Sequence, residues 1–268
     1  MDDFFVRLFT IIIGTAVSLF FLLYSATTLC TFFTIVGVVC LYEFHISIGD
    51  LVGKLYSGLI SASIYSILIA YAFESVETRY VITIFPLTLS LFGFEILAKE
   101  KFSFRNVGLG IICIVWIVIP LALCTFLAMH DGFEPRLIIG ILLVVWFNDA
   151  GAYCVGRMGG ATPLHPKLSP KKTWEGSIGG AIVAGIVGYI VSCYFTFLRG
   201  ENWLYISAIC IFCGSVGDLI ESMFKRSLDI KDTGKLLPGH GGLLDRFDAV
   251  LYSVPFVFTY LVLAGLIN

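Results

Sequence analysis

Long apolar stretches recur from one end of this chain to the other, and polar residues are concentrated between them. A helix needs about 17–25 apolar residues to cross the hydrocarbon core of a bilayer. Nine stretches fit this length, at residues 8–24, 26–42, 57–73, 80–97, 109–129, 137–155, 177–198, 203–220 and 247–267. The pattern therefore predicts an all-α, polytopic membrane protein of about nine transmembrane helices.

Composition supports this prediction. Of the 268 residues, 58% are hydrophobic and only 13% are charged, whereas about one-quarter of the residues in soluble domains are charged. We therefore predict a single membrane domain over residues 1–268, with a helical scaffold in 1–130 and the chemistry in 131–268. The eight cysteines lie in or beside apolar stretches, and Cys210 and Cys213 have no further zinc ligands nearby, so we interpret all eight as packing thiols.

The basic residues are distributed unevenly between the two sides that nine spans define. Only Arg79, Arg136 and Arg199 of the 17 lysines and arginines fall on one side. Because cytoplasmic loops are enriched in Lys and Arg, the N-terminus is predicted to be cytoplasmic and the C-terminus outside. The two long polar loops, residues 156–176 and 221–246, are then both cytoplasmic.

The first chemically informative segment surrounds Asp149. This carboxylate lies in an otherwise apolar stretch, where an ionisable side chain costs a few kcal/mol and usually marks a functional site. The alternative is an aspartate that pairs with a neighbouring helix and only holds the bundle together.

The second segment is rich in lysine, with Lys167, Lys171 and Lys172 close to the membrane surface. Such a group suits a polyphosphate or an anionic lipid headgroup, although the same lysines could serve only as anchors on the cytoplasmic side. Small residues then recur at every fourth position, at Gly176, Gly180, Ala184 and Gly188. This stripe predicts close packing between helices.

The third segment, residues 217–248, has the highest density of polar groups. If the helix continues past Ile220, one face carries Asp218, Glu221, Ser222 and Lys225. Asp245 and Asp248 share a face where the last span begins, and the glycines around His240 allow a tight turn close to a phosphate.

Depth in the bilayer brings the acidic residues to the same side. With a rise of about 1.5 Å per residue, Asp218 lies roughly 22 Å along its span from the outer side, and Asp149 roughly 20 Å. Both then lie in the cytoplasmic part of a core about 30 Å thick. Carboxylates beside lysines and arginines at this level favour Mg²⁺ and phosphate groups as ligands.

Three blocks of the second half resemble the phosphatidate cytidylyltransferase (CDP-diacylglycerol synthase) family. Residues 149–157 and 169–176 are similar to family motifs, and the C-terminal motif is matched throughout. Its matching positions are Ser222, Lys225, Arg226, Lys231, Asp232, Pro238, His240, Gly241, Gly242, Asp245, Arg246 and Asp248. The first half resembles the family only as a series of helices.

The resemblance implies conversion of CTP and phosphatidic acid to CDP-diacylglycerol and pyrophosphate, with Mg²⁺ and with a second metal ion left open. It implies that Asp218 and Asp245 belong to the metal centre. The expected catalytic residues are Asp149, Asp218, Lys225, Arg226, Asp245 and Asp248. The expected substrate-binding residues are Lys167, Lys171, Lys172, Ser222, Lys231, His240 and Arg246.

The expected partners are the two substrates and the lipid bilayer, without nucleic acid. A homodimer is one candidate assembly, and His240 is as plausible a turn residue as a proton carrier. We expect a bacterial inner membrane with the active site facing the cytoplasm.

Two other functions remain as alternatives. A CTP-dependent polyprenol kinase would use similar acids and bases but would release CDP and a phosphorylated lipid. An ion-coupled transporter would use Asp149 and Asp218 as ion sites, yet it would not require two loops rich in basic residues. A CDP-alcohol phosphotransferase is rejected, because Pro135, Val145 and Tyr153 replace residues that its motif requires.

Overall fold

The computed structural model describes residues 2–49, 52–72, 81–97, 104–130, 132–234, 236 and 241–267. Within these ranges the chain forms ten α-helices, a π-helical segment and a β-hairpin. The helices are α1 (Asp2–Tyr24), α2 (Ala26–Ile48), α3 (Val52–Ala72), α4 (Ile84–Leu97), α5 (Phe104–Cys113), α6 (Ile119–Met129), α7 (Arg136–Gly159), α8 (Trp174–Tyr194), α9 (Gly200–Ser227) and α10 (Leu244–Leu263). The strands are β1 (Pro163–His165) and β2 (Ser169–Thr173).

The helices agree with the apolar pattern of the sequence. Six segments in the described part of the chain are long and apolar enough to cross a membrane: Ala26–Ile48, Phe104–Met129, Arg136–Gly159, Trp174–Tyr194, Gly200–Ser227 and Leu244–Leu263. Shorter apolar helices cover Ile13–Tyr24, Gly58–Ala70 and Ile84–Leu97. The protein is therefore a mostly helical, integral membrane protein, and the total of nine spans and the orientation of the termini stay predictions.

The chain divides into two compact units. The first contains Met1–Glu134 and Asp232–Asp245, and the second contains Pro135–Lys231 and Arg246–Asn268. The first unit thus combines the N-terminal helices with a short segment from the polar region near the C-terminus.

A proline explains the irregular helix in the first unit. α5 leads into the π-helical segment Ile114–Val118, where the Ile119 amide donates to the Ile114 carbonyl five residues earlier. Pro120 follows directly and has no amide hydrogen to donate. The wider π-helical turn accommodates this missing hydrogen bond within a continuous helical segment. Ile114 and Val118 belong to the same buried apolar core as Ile64.

Glycines allow α7 and α8 to cross at backbone contact in the second unit. A Cβ atom at Gly176 would lie 2.8 Å from the Ala152 carbonyl oxygen and 3.1 Å from the Gly156 Cα. A Cβ at Gly188 would lie 2.8 Å from the Ser207 Cβ on α9. The small-residue stripe predicted from the sequence is confirmed, since it packs α8 against both neighbouring helices.

We expect Gly180→Ala to lower the thermal stability of the purified protein by several degrees. The new methyl group would lie 2.9 Å from the Ala152 Cβ and 3.1 Å from the Ala152 nitrogen, and overpacking of this kind costs about 1–3 kcal/mol. Gly185→Ala is the matched control on the same helix, because nothing lies within 4 Å of its Cβ position. Equal melting temperatures for the two variants in detergent would contradict this packing.

The described part of the loop 156–176 contains structure that the all-α prediction missed. β1 and β2 pair antiparallel and lead directly into α8. The Glu175 carboxylate accepts hydrogen bonds from the amides of Ala161 and Thr162, at 3.1–3.2 Å. Strands of three and five residues are too short to produce a recognisable alternation of polar and apolar positions, which is why the sequence indicated only a loop.

Candidate active site

The polar face predicted on α9 is present, because the helix continues to Ser227. Glu221 is buried, and its Oε2 lies 2.5 Å from the Lys225 Nζ one turn later. Asp218 lies one turn before Glu221 and also interacts electrostatically with Lys225. The Glu221–Lys225 pair has the four-residue spacing at which opposite charges stabilise a helix, and Lys225 lies one turn further along the same face that carries Asp218.

The hairpin brings Lys172 to this face. The Lys172 ammonium forms an ion pair with the Asp218 carboxylate, and both side chains are about one-third exposed. Lys171 is exposed, whereas Lys172 is partly buried. Of the two adjacent lysines, the structure thus brings Lys172 to the acidic residues and leaves Lys171 at the surface.

A glycine brings α10 close to α9 beside Asp218. A Cβ atom at Gly217 would lie 2.8 Å from both the Asp248 carbonyl oxygen and the Tyr252 Cβ. The buried Asp248 is consequently close enough to Asp218 for the two carboxyl groups to interact electrostatically. Two carboxylates that lie close together repel each other unless positive charge is nearby, so this pair is suited to a positively charged ligand beside Lys172.

Asp149 completes the group from α7. Asp149 is an exposed residue, and its carboxylate interacts electrostatically with Asp218, Lys172 and Arg246. We use the term acidic cluster for Asp149, Asp218 and Asp248. The cluster combines three acids with nearby basic groups, and its members range from the buried Asp248 to the exposed Asp149. Such an arrangement can bind a cation together with phosphate groups.

The remaining predicted residues of the second unit lie outside these contacts. The exposed Arg226 donates to the Ile230 carbonyl oxygen at 3.3 Å and closes the turn after α9. Lys167 and Lys231 are exposed, and Ser222 is half-buried one turn after Asp218. His240 lies outside the described residues, so its predicted role is unchanged.

Asp245 belongs to the first unit, where it organises the segment Asp232–Asp245. Its Oδ2 accepts hydrogen bonds from the amides of Gly242 at 2.8 Å and Thr233 at 3.1 Å. Since Asp218 lies in the second unit, a shared metal centre of Asp218 and Asp245 stays a prediction.

The sequence analysis missed Glu43, which lies on α2 and is only 4% exposed. Its carboxylate accepts hydrogen bonds from the amides of Leu243 and Leu244, at 3.0 and 2.8 Å. The signal that could have identified Glu43 is an acidic residue directly after an apolar stretch, comparable to Asp149 within its own stretch. Glu43 was overlooked because the predicted span ended at residue 42, whereas α2 continues to Ile48.

The donor atoms fit Mg²⁺ that binds together with a substrate. Among the described residues, no group of three or more His, Cys, Asp or Glu side chains could hold a metal ion by itself. Mg²⁺ is normally held by one or two carboxylates, with phosphate oxygens and water in the remaining positions. Asp218 and Asp248 supply two such carboxylates, and an ion between them would balance their charges.

Comparison with known proteins gives a consistent result across nearly the whole chain. The family model described as the cytidylyltransferase family matches residues 5–264. Phosphatidate cytidylyltransferase of Staphylococcus haemolyticus (strain JCSC1435) is 34% identical, covering 93% of this chain and 96% of its own. The proteins of the same name from Staphylococcus aureus (strain COL) and Bacillus subtilis (strain 168) are 32% and 31% identical, covering 93% and 96% of this chain and 96% and 97% of their own.

Proposed function

Because this chain belongs to the cytidylyltransferase family, we propose that it catalyses the reaction of CTP with phosphatidate to give CDP-diacylglycerol and pyrophosphate. The observation that supports this reaction most directly is the acidic cluster with Lys172 at Asp218. Two acidic side chains close together, with basic groups beside them, form an environment suited to a nucleoside triphosphate and its cation. The relatives named phosphatidate cytidylyltransferase support CTP as the nucleotide and phosphatidate as the lipid.

The reaction exchanges one phosphoanhydride bond for another. A phosphate oxygen of phosphatidate attacks the α-phosphorus of CTP, the bond from that phosphorus to the bridging oxygen of the β-phosphate breaks, and pyrophosphate leaves. The nucleophile is already an anion, so it needs no strong base. The protein must instead align the two phosphates and stabilise the negative charge that moves to pyrophosphate.

The basic groups around the acidic cluster perform these tasks in our proposal. Lys172 is ion-paired with Asp218 and would turn to the triphosphate when CTP binds, which frees a carboxylate oxygen of Asp218. Arg246 and Lys225 lie within electrostatic range of Asp149 and Asp218, respectively. They would neutralise the departing pyrophosphate, while Asp149 keeps Arg246 oriented.

Asp218 and Asp248 would hold Mg²⁺, with Asp245 as the further ligand that the family resemblance implies. Bound there, the ion supplies charge stabilisation for the phosphate oxygens and fixes their geometry. A second metal ion is not required by this proposal. The position of the acidic residues along their spans and the distribution of basic residues support a site that faces the cytoplasm, and the bacterial relatives support a location in the inner membrane. Homodimer formation stays a prediction.

The position of a radioactive label tests the reaction. Purified protein in detergent is incubated with phosphatidate, Mg²⁺ and CTP that carries ³²P at either the α- or the γ-phosphate. We expect the α-label in the lipid fraction, as CDP-diacylglycerol, and the γ-label in pyrophosphate. Transfer of the γ-label to an added polyprenol would instead identify the CTP-dependent kinase, and an absence of label in any lipid would contradict both enzymes.

We expect removal of divalent cations to lower the rate by at least about 100-fold, because the paired carboxylates would then repel the triphosphate. The measurement is α-label incorporation after addition of EDTA, followed by titration with Mg²⁺. EDTA added as its preformed Mg²⁺ complex is the control and should leave the rate unchanged. A rate that survives metal-free EDTA would contradict the metal requirement.

A further inference from the structure

Glu43 is an unusual residue for its position. It is buried on an apolar helix that is long enough to cross a membrane, where a charged side chain is costly unless it is paired or hydrogen-bonded. The first half of the chain otherwise supplied no candidate for chemistry. The contacts of Glu43 within the first unit indicate what it does.

Glu43 binds the start of α10 with both of its carboxylate oxygens. Its Oε1 accepts from the Leu243 amide and its Oε2 from the Leu244 amide. The first amides of a helix lack partners within the helix and carry a partial positive charge. A carboxylate is therefore the strongest acceptor that this position can have.

Glycines permit this contact by letting the segment Asp232–Asp245 approach the carboxylate directly. A Cβ atom at Gly242 would lie 2.6 Å from the Glu43 Oε2, and one at Gly234 would lie 2.6 Å from the Glu43 Cδ. Ser47, one turn later on α2, donates to the Thr233 carbonyl oxygen at 3.3 Å. The same face of α2 thus contacts both ends of the segment.

The same segment carries Asp245, and the two acids bind consecutive amides. The Gly242 amide donates to Asp245, and the next two amides, of Leu243 and Leu244, donate to Glu43. Any shift of the Leu243 and Leu244 amides would move the Gly242 amide that orients the Asp245 carboxylate. The direction of the Asp245 side chain therefore depends on the bonds to Glu43.

From this geometry we infer that Glu43 is a positioning residue, which fixes the start of α10 and thereby the orientation of the Asp245 carboxylate. The link to catalysis rests on the proposed function, whereas the link between Glu43 and the segment rests on the hydrogen bonds alone. Glu43 itself does not touch the substrate in this proposal.

Glu43→Gln tests the inference with little change in side-chain volume. Glutamine keeps one acceptor but places an NH₂ group against one of the two amides. We expect hydrogen exchange in peptides that cover residues 241–245 to become about tenfold faster. We also expect kcat for α-label incorporation to fall about tenfold or more, with the KM for CTP changed less than about threefold.

Glu95→Gln is the matched control, since Glu95 also lies on an apolar helix of the first unit, where it accepts from the Asn106 Nδ2 at 3.0 Å. It should leave both measurements close to those of the unchanged protein. Gly234→Ala is the second variant, to be used if Glu43→Gln does not yield folded protein, because it presses a methyl group against Glu43 and retains the carboxylate. It should speed exchange in the same peptides and lower kcat.

Unchanged exchange in peptides covering 241–245, or faster exchange with kcat within about twofold of the unchanged protein, would overturn the inference. If the protein without any substitution forms no labelled lipid, that result would instead contradict the proposed function. In that case the exchange measurement would still decide whether Glu43 holds the segment. The two failures are thus distinguishable.

Discussion

Asp218→Ala is expected to lower kcat for CDP-diacylglycerol formation on the order of 10³-fold, which corresponds to about 4 kcal/mol of lost transition-state stabilisation. Asp218 forms an ion pair with Lys172 and interacts electrostatically with Asp248 and Asp149, the other two members of the acidic cluster. Its removal takes away a proposed metal ligand and leaves Lys172 without its ion-pair partner. The loss should therefore appear mainly in kcat, with folding retained.

Asp229→Asn provides the control for a lost carboxylate in the same unit. Asp229 is exposed just past the end of α9 with a φ of 54°, a conformation that asparagine tolerates well. Its variant should retain nearly full activity. Asp218→Ala protein that elutes as a single species in detergent and still incorporates α-label at more than about one-tenth of the normal rate would exclude Asp218 from the site.

Lys172→Met is expected to lower kcat/KM for CTP about 100-fold, while Lys171→Met should lower it less than about threefold. Both substitutions remove one positive charge from the same strand and retain most of the side-chain volume. They differ in environment, because Lys172 is ion-paired with Asp218 and Lys171 is exposed at the surface. If the two lysines acted only by attracting anions to the membrane surface, both substitutions would lower kcat/KM for CTP by the same factor.

Assays at different ionic strengths further distinguish a specific contact of Lys172 from a general effect of surface charge. Screening at high salt reduces long-range attraction between exposed charges much more than a contact in a partly buried pair. The ratio of kcat/KM between the Lys171→Met and Lys172→Met variants should therefore persist at high salt. A ratio close to one at every salt concentration would indicate that Lys172 acts only as a surface charge.

The helical part of the fold was predictable because length and hydropathy alone identify helices in a membrane. The extension of α9 to Ser227 could also be predicted, since Asp218, Glu221 and Lys225 have helical spacing. The hairpin could not be predicted, because its strands of three and five residues are too short to show an alternation of polar and apolar positions. The Glu175 carboxylate that binds the amides before β1 also leaves no pattern in the sequence. Short segments held by tertiary contacts leave little periodic signal.

The candidate site was predicted by residue type but not by contact. The sequence indicated Asp149, Asp218 and Asp248 as important, yet it could not show that Gly217 brings two of them together. It also could not show which of the two adjacent lysines contacts Asp218, since that depends on how the hairpin packs in the folded protein. Glu43 was missed for a related reason, because its partners are backbone amides about 200 positions away, which no side-chain motif reveals.

The acidic cluster has a consequence for how a newly made copy of the enzyme acquires activity. Its members come from α7, α9 and α10, with Lys172 from the hairpin between α7 and α8. Chains emerge from the ribosome N-terminal end first, so Asp248 arrives long after the earlier helices have been inserted. Until that helix enters the lipid, a nascent chain holds Asp149 and Asp218 without Asp248 and should be inert.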